Sequence, residues 1–237
     1  MQRYENYHKH SHYSNIVTLD VVAKPEDYMK RAKELGHKIY FTTEHGYNGN
    51  IYEALTLAEK YDLKVVSGIE AYYVPDRKEK DKSNYHLVLI ALNTDGYKDL
   101  NYLLSESNVS GFYYKPRIDD ELLFSINPSN VIVTTACVAG RLREEQGREE
   151  WLLKMKNYFK NNFYLEVQAH PCQAQAEYNK MILYYHNKYN IPIIHANDSH
   201  YILPNEAKYR NMFLKAKGIN YPEEDNFVLD YPDSDTK

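Results

Sequence analysis

Three histidines stand at alternate positions near the start of the chain. They are His8, His10 and His12, within the segment HKHSHYSN. In an extended segment, side chains two residues apart point to the same side, so a pair of these imidazoles can bind one metal ion. A lone H-x-H pair is a weak signal, because the same residues also fit a surface segment or an affinity tag. Other potential ligands at the same place in the fold would favour a metal site.

Further potential ligands follow the predicted strands. They come at or just after the strand ends and are Glu44, His45, Glu70, Cys137, His170, Asp198 and His200. In a βα barrel the carboxyl ends of the parallel strands meet at one face, which is where active sites lie. Side chains from separate strands would therefore converge, and the pattern predicts a multinuclear metal site. Imidazoles mixed with carboxylates and one thiolate suit Zn²⁺, Mn²⁺ or Fe²⁺ better than Mg²⁺ or Ca²⁺.

His86 does not fit this pattern. It begins the apolar segment HLVLIAL. A parallel strand would place it at the end of the barrel opposite to the other candidates. Either the chain enters this strand differently after the charged segment 75–84, or His86 is not a ligand, and spacing alone leaves both open.

The elements that must position these residues alternate along the chain. Strands are predicted over 3–9, 38–45, 64–70, 86–92, 130–136, 163–168 and 191–197. Helices are predicted over 25–36, 50–61, 95–107, 149–159, 174–189 and 204–218. Repeated βα units indicate a parallel sheet with helices outside it. A closed or distorted barrel is predicted, with an open doubly wound sheet as the alternative, and no G-x-G-x-x-G fingerprint supports a dinucleotide fold.

Composition restricts the class of protein. The chain has 237 residues, 43% of them hydrophobic, which suffices for one large domain with a buried core. No apolar run approaches the roughly 20 residues that span a bilayer, and two cysteines form no disulfide framework, so a cytoplasmic protein without membrane contact is expected. A net charge of -4 argues against a basic surface for nucleic acid but not against a metal-lined cleft.

Seven motifs occur in an order that resembles a known family. They are HKHSHYSN, TTEHG, GIEAYYV, YHLVLIAL, GFYYKPRID, TTACVAG and HANDSHY. Together they resemble the PHP (polymerase and histidinol phosphatase) domain of bacterial C-family replicative DNA polymerases, the DNA polymerase III alpha subunits. The similarity predicts a domain over residues 1–218, while the acidic segment 219–237 is expected to be a tail or a connection to an absent segment. It implies a distorted (β/α)7 barrel with up to three divalent metal ions (Zn, Mn or Fe).

The resemblance also implies which residues bind these ions. The expected ligands are His8, His10, Asp20, His45, Glu70, His86, Cys137, Asp198 and His200. The register set by Tyr13 and Ser14 leaves His12 at a position that the family does not use. Glu44 stands where the family usually has Asp, so it is expected near the site, as is His170. The resemblance overrules the objection to His86.

Metal ions in such a pocket serve phosphoester hydrolysis by a metal-bound hydroxide. Arg141, Lys115 and Arg117 could hold substrate phosphate, although surface salt bridges are an equal alternative for them.

Three functions are compatible with the sequence. The first is a 3′–5′ proofreading exonuclease that acts on a DNA 3′ end and is associated with the remainder of a replicative polymerase. The second is a free-standing phosphomonoesterase of the histidinol-phosphatase type, and the third is a metal-stabilised structural domain without catalysis. No second carboxylate cluster for nucleotidyl transfer follows His200, so no polymerase site is expected within the chain.

Overall fold

A computed structural model describes residues 4–219 and 227–232, and its centre is one seven-stranded sheet. The strands are β1 (Ile39–His45), β2 (Lys64–Tyr73), β3 (Tyr85–Ala91), β4 (Arg117–Ile118), β5 (Val131–Thr134), β6 (Phe163–Val167) and β7 (Ile193–His195). Their order is β1-β2-β3-β5-β6-β7, and the short β4 pairs with β2 outside this path. The sheet is curled, and it confirms the predicted distorted barrel rather than an open doubly wound sheet.

One strand runs against the others. β3 is antiparallel to both β2 and β5, whereas the pairs β1–β2, β5–β6 and β6–β7 are parallel. The prediction of a fully parallel sheet is therefore wrong at β3. The segment 74–84 connects β2 to β3 and contains no helix. The chain therefore reverses direction directly after β2, and β3 begins at the end of the barrel where β2 stops. His86 consequently lies at the same end of the barrel as the other candidates.

The helices lie where the apolar spacing predicts them, with one addition. They are α1 (Pro25–Glu34), α2 (Ile51–Tyr61), α3 (Thr94–Val109), α4 (Asp120–Leu123), α5 (Arg148–Phe159), α6 (Gln173–Tyr189) and α7 (Ala207–Lys217). Short 3-10 helices cover His12–Ile16, Arg141–Arg143, Lys160–Asn162 and Pro204–Glu206. In α1, Pro25 occupies the first turn and the Asp27 carboxylate accepts a hydrogen bond from the Lys24 N–H. These are the ordinary signals of a helix start. The short α4 and β4 were not predicted.

Both faces of the sheet are buried, and alternate residues divide between them. In β3, Leu87 and Leu89 pack in the large cluster that includes side chains of α3, α5 and α6. Val88 and Ile90 join a second cluster drawn from several strands, which fills the barrel interior. Because side chains alternate along a strand, His86 points into the interior with Val88 and Ile90.

The N-terminal segment closes the barrel without forming a strand. The backbone of His8 and His10 exchanges hydrogen bonds with Ser199, just past β7, and the Lys9 N–H donates to the Thr43 hydroxyl of β1. The strand predicted over 3–9 is therefore wrong for the described residues 4–9. On the β1 side, the Lys9 N–H binds the Thr43 side chain instead of a backbone carbonyl. The backbone pairing of this segment is therefore limited to an isolated β-bridge between Lys9 and Ser199.

Part of the predicted acidic tail packs against the barrel. Residues 227–232 lie against the loop after β7, and Leu229 and Tyr231 are both buried. The remainder of segment 219–237 past residue 219 lies outside the described residues. Within the described chain, no helix has both the length and the apolar character needed to cross a bilayer.

Candidate metal centre

The strands β1, β2 and β3 bring His45, Glu70 and His86 together at one end of the barrel. His45 lies opposite Glu70 in the β1–β2 register, and His86 lies opposite Tyr72, two residues further along β2. The Glu70 carboxylate approaches His45 Nδ1 at 2.5 Å and His86 Nδ1 at 3.0 Å. Since Glu70 is fully buried, its carboxylate is the fixed centre of the group.

The closing segment and the loop after β7 complete the cluster. His8 Nε2 lies 3.0 Å from Glu70 and 3.3 Å from Asp198, and His10 Nε2 lies 3.2 Å and 3.0 Å from the same two carboxylates. Asp198 has a left-handed backbone with φ of +50°, which is uncommon for a non-glycine residue and clusters at functional sites. His200 follows, with its ring centroid 4.7 Å from that of His10.

These contacts shift the pKa values of the imidazoles in opposite directions. Burial disfavours the charged form of His10, but the carboxylates of Glu70 and Asp198 outweigh it and raise its pKa to about 9. The pKa of His8 is likewise raised well above its usual value, because Asp198, Glu166 and Glu70 outweigh burial. Burial and the stacked His10 ring lower the pKa of His45 to about 3. Without a metal, protons on two imidazoles offset the carboxylate charge, a role that a divalent cation would fill.

In three of the histidines, the hydrogen bond made by Nδ1 indicates that the other ring nitrogen, Nε2, is available to a metal. Nδ1 of His8 lies 2.8 Å from Glu166, and Nδ1 of His200 lies 2.8 Å from the carbonyl oxygen of Asp198. Both partners only accept hydrogen bonds, so in the neutral imidazole the proton is on Nδ1 and Nε2 keeps a lone pair that faces the cluster. His10 Nδ1 is 3.0 Å from the Ser14 hydroxyl, which donates to Glu44 and thus accepts from His10. This arrangement is characteristic of metal-binding histidines.

The spacing of the inner atoms also fits a metal. The four nitrogen–oxygen distances among His8, His10, Glu70 and Asp198 are 3.0 to 3.3 Å. Ligand atoms about 2.0–2.1 Å from a tetrahedral Zn²⁺ are roughly 3.3 Å apart. Buried atoms that include His10 Nε2, Glu70 Oε2 and Asp198 Oδ1 have no partner with hydrogen-bond geometry. The residues present therefore fit a divalent ion.

The convergent atoms form three overlapping groups. They are His10, His45 and His200; His8, His10, Glu70 and Asp198; and His45, Glu70 and His86. Seven of the nine expected ligands occur in these groups. Asp20 lies beside them, with one carboxylate oxygen 3.3 Å from His200 Nε2 and 3.9 Å from His45 Nε2. Cys137 lies beside the third group, with Sγ 3.6 Å from His86 Nδ1.

The cluster forms part of the wall of a cleft of about 230 Å³. Two cationic side chains also line it, Lys115 and Arg143. Lys115 Nζ lies 4.2 Å above the Tyr72 ring, and burial lowers its pKa although Asp20 and Glu70 oppose the shift. A cation beside a cluster of carboxylates and imidazoles is suited to an anionic group of a ligand.

Two of the three predicted phosphate-binding residues are not in this cleft. The Arg117 guanidinium is buried and donates to the carbonyl oxygens of Gly111, Asp81 and Arg77. The Arg141 guanidinium donates to the carbonyls of residues 144 and 146. These hydrogen bonds engage both guanidinium groups with backbone carbonyls, and a phosphate-binding role for Arg117 or Arg141 stays a prediction.

Three further residues, Glu44, His170 and His12, were expected near the site, and they have different surroundings. Glu44 accepts hydrogen bonds from Ser11, Ser14 and Asn50, so it supports His10 through Ser14. His170 is buried and stacks on Phe227 with 4.4 Å between centroids. His12 belongs to none of the three groups found among the described residues.

Glu166 is the supporting residue that sequence reasoning missed. Besides His8, it binds the Tyr7 hydroxyl at 2.5 Å, the Thr134 hydroxyl at 2.9 Å and the Gln168 amide at 2.8 Å. The signal was present, because a carboxylate inside the otherwise apolar strand FYLEV requires buried partners.

Comparisons with known proteins find related sequences and a related fold. A family model described as the PHP domain matches residues 6–170. The DNA polymerase III subunit alpha of Aquifex aeolicus is 34% identical over 226 residues, which cover 88% of this chain and 19% of that protein. The subunit of Borreliella burgdorferi is 34% identical over 228 residues, with 90% and 19% covered. The chain thus spans about a fifth of the length of these relatives.

A solved structure shares the fold. A protein from Bifidobacterium adolescentis, described as a metal-dependent phosphoesterase, aligns with a TM-score of 0.52 and 13% identity, covering 82% of this chain and 87% of its own. At this identity the likeness concerns the fold alone.

Proposed function

Because this chain belongs to the PHP domain family, we propose that it is a metal-dependent phosphoesterase. The observation that carries the proposal is the set of three overlapping groups of imidazole and carboxylate atoms on the wall of a cleft that also presents Lys115 and Arg143. The Glu70 and Asp198 carboxylates would repel a phosphoester when the imidazoles beside them are neutral. Divalent ions bound there would reverse the local charge.

We propose the nine expected residues as the ligands of up to three ions, with Zn²⁺, Mn²⁺ or Fe²⁺ as candidates. They are His8, His10, Asp20, His45, Glu70, His86, Cys137, Asp198 and His200. When bound, such ions lower the pKa of water and offset charge on a phosphoryl group. Buried, oriented ligands fix the positions of the ions before substrate arrives, so little reorganisation is needed during the reaction.

The chain's own cations would bind the substrate. Lys115 Nζ, held over Tyr72 at the cleft wall, would pair with a phosphate oxygen. Arg143 lies on the same cleft and donates to the Asn84 carbonyl oxygen at 3.3 Å, so part of its guanidinium is already oriented.

We further propose that the phosphoester is a phosphodiester at a DNA 3′ end. The support is the 34% identity to two proteins named DNA polymerase III subunit alpha over most of this chain. The activity would be 3′–5′ exonucleolytic proofreading, and the partner would be the remainder of such a polymerase. The cytoplasmic location expected from the sequence stays a prediction.

The test combines metal analysis with two substrates, a 5′-labelled single-stranded oligonucleotide and a small phosphomonoester. His10→Ala should lose metal and hydrolysis together, because its Nε2 lies within 3.2 Å of both central carboxylates. His12→Ala, a matched change outside the three groups of ligand atoms, should retain most of both. Equal losses in the two variants would contradict the assignment.

The substrates separate the alternatives. Shortening of the oligonucleotide supports the exonuclease. Hydrolysis of the monoester alone would indicate a phosphatase of the histidinol-phosphatase type. Retained metal with neither reaction would indicate a structural domain.

A further inference from the structure

The loop at the mouth of the cleft exposes a large aromatic side chain. This mouth loop, residues 110–116, follows α3, and Tyr114 within it is 68% exposed. Tyr114 contributes to none of the three apolar clusters found in the described residues. Its ring makes an edge-to-face contact with Tyr113, with 4.8 Å between centroids, and most of the Tyr114 side chain remains exposed and available to a ligand.

The backbone at Tyr114 separates its side chain from that of the next residue. Tyr114 has φ of +61°, a left-handed conformation that is a steric outlier for a bulky residue. Lys115 follows immediately and extends into the cleft. The two Cα atoms are about 3.8 Å apart, yet one side chain faces solvent and the other faces the candidate metal centre. Strain of this kind persists only where the surroundings enforce it.

The surroundings of the mouth loop are rigid. The buried Arg117 guanidinium donates to the carbonyls of Gly111, Asp81 and Arg77, so it joins the mouth loop to the neighbouring segment 74–84. A Cβ on Gly111 would lie 2.1 Å from the Arg117 carbonyl oxygen, so the two backbones are in close contact. Tyr114 is therefore presented on a fixed support.

Segment 74–84 adds positive charge beside the ring. Lys82 Nζ lies 4.8 Å from the centre of the Tyr114 ring, and Asn84, two residues later, lines the cleft. The Tyr114 ring thus contacts the exposed cation Lys82, and the next residue in the chain is the cleft cation Lys115. Proteins that bind single-stranded nucleic acid combine these two elements, cations for the backbone and aromatic rings on which bases stack.

We propose that Tyr114 is a base-stacking residue that selects single-stranded DNA for the phosphoesterase site. A base near the 3′ end stacks on the Tyr114 ring, Lys82 pairs with an upstream phosphate, and Lys115 pairs with the phosphate at the metal centre. The inference rests on the proposed function, and it assigns substrate choice to a residue outside the nine expected metal ligands.

The test compares two 5′-labelled oligonucleotides of equal length, one normal and one abasic in its last three 3′ nucleotides. Tyr114→Ala should lower kcat/KM on the normal oligonucleotide about tenfold, whereas the loss on the abasic oligonucleotide should be much smaller. Tyr114→Phe keeps the ring and should restore most of the loss. Tyr184→Ala, an exposed tyrosine on α6, is the matched control and should behave as the unchanged protein.

Two results would overturn the proposal: equal losses on both oligonucleotides, or no loss on either. A binding measurement distinguishes failure of the stacking proposal from failure of the proposed phosphoesterase function. Fluorescence anisotropy measures the affinity for the normal oligonucleotide in the presence of a chelator, which prevents metal-dependent hydrolysis. Tyr114-dependent binding under chelation, together with no hydrolysis of either oligonucleotide or of small phosphoesters by the metal-loaded protein, would support stacking and refute the phosphoesterase. Hydrolysis of small phosphoesters without any effect of Tyr114 on the oligonucleotide would support the phosphoesterase and refute stacking.

Discussion

The orientation of single imidazoles determines whether the centre can hold a metal. His8 shows this most clearly, since Nδ1 contacts the Glu166 carboxylate while Nε2 faces Glu70 and Asp198. Glu166 is itself held by Tyr7 and Thr134. A carboxylate behind the imidazole fixes the tautomer and increases the basicity of the nitrogen that faces the metal.

Glu166→Gln should therefore weaken metal binding without unfolding the protein. The amide keeps the shape of the side chain but loses the negative charge that pairs with His8 Nδ1–H, so metal affinity should fall about 10- to 100-fold. Competition with a chromophoric chelator measures the affinity, and circular dichroism checks the fold. Glu177→Gln on the exposed face of α6 is the control. An unchanged affinity in Glu166→Gln would show that Glu166 serves packing only.

Residue type narrows the candidates for metal ligands more than it narrows the candidates for phosphate-binding or supporting residues. The nine expected ligands were named through the resemblance to PHP domains, and seven of them occur in the three groups of convergent atoms. Residue type alone does not assign Arg117 and Arg141, because arginine serves phosphate and backbone carbonyls equally well, and only the fold shows which backbone acceptors are near. Glu166 was missed because it supports a ligand instead of binding at the centre.

Among the elements, the reversed strand β3 decides whether the cluster can form. A parallel strand at this position would carry His86 to the far end of the barrel, about 17 Å away, because five steps of about 3.3 Å separate His86 from Ala91. The alternation of side chains in HLVLIAL is the same for both directions, so strand direction could not be read from it. The information lies in the connection 74–84, which has no helical period.

A second element, residues 227–231, holds the loop that carries two expected ligands. The Leu229 carbonyl accepts the His200 N–H at 2.8 Å, and the Asp230 carbonyl accepts from Asn197 at 2.7 Å. Tyr231 anchors this segment, since its ring is 1% exposed and lies 5.3 Å from that of Tyr28. The acidic composition of the C-terminal region hid these apolar anchors from the sequence prediction.

Tyr231→Ala should destabilise the fold by about 3 kcal/mol, the usual cost of a large cavity in a core. It should also weaken metal binding, because the backbone of the 197–201 loop loses its partner. Tyr231→Phe keeps the packing and removes only the contact with His37, so a loss of about 1 kcal/mol is expected. Urea unfolding with metal present measures both. A loss below 0.5 kcal/mol in Tyr231→Ala would mean that this segment does not pack in solution.

At the scale of the whole molecule, the barrel holds many buried ionisable groups together, and their balance depends on pH. In protein stripped of metal, His8 and His10 bind protons more tightly when folded than when unfolded, His10 with a pKa of about 9. Their contribution to stability is complete below the unfolded pKa of about 6.5 and is lost as pH rises toward 9. Lys9 acts in the opposite sense, since burial lowers its pKa to about 7 and stability is gained above that pH.

The stability lost as the His8 and His10 imidazoles release their protons exceeds the stability gained from Lys9. The melting temperature of chelator-treated protein should therefore fall between pH 6.5 and pH 9. Metal binding needs neutral imidazoles, so metal affinity should rise over the same range and the gap in melting temperature between loaded and stripped protein should widen. Lys9→Met removes the opposing contribution and should steepen the fall in the stripped protein. Thermal scans at matched ionic strength measure all three curves. A stripped protein whose melting temperature is constant or rises from pH 6.5 to 9 would contradict the raised pKa values of His8 and His10, and with them the close approach of both rings to Glu70 and Asp198.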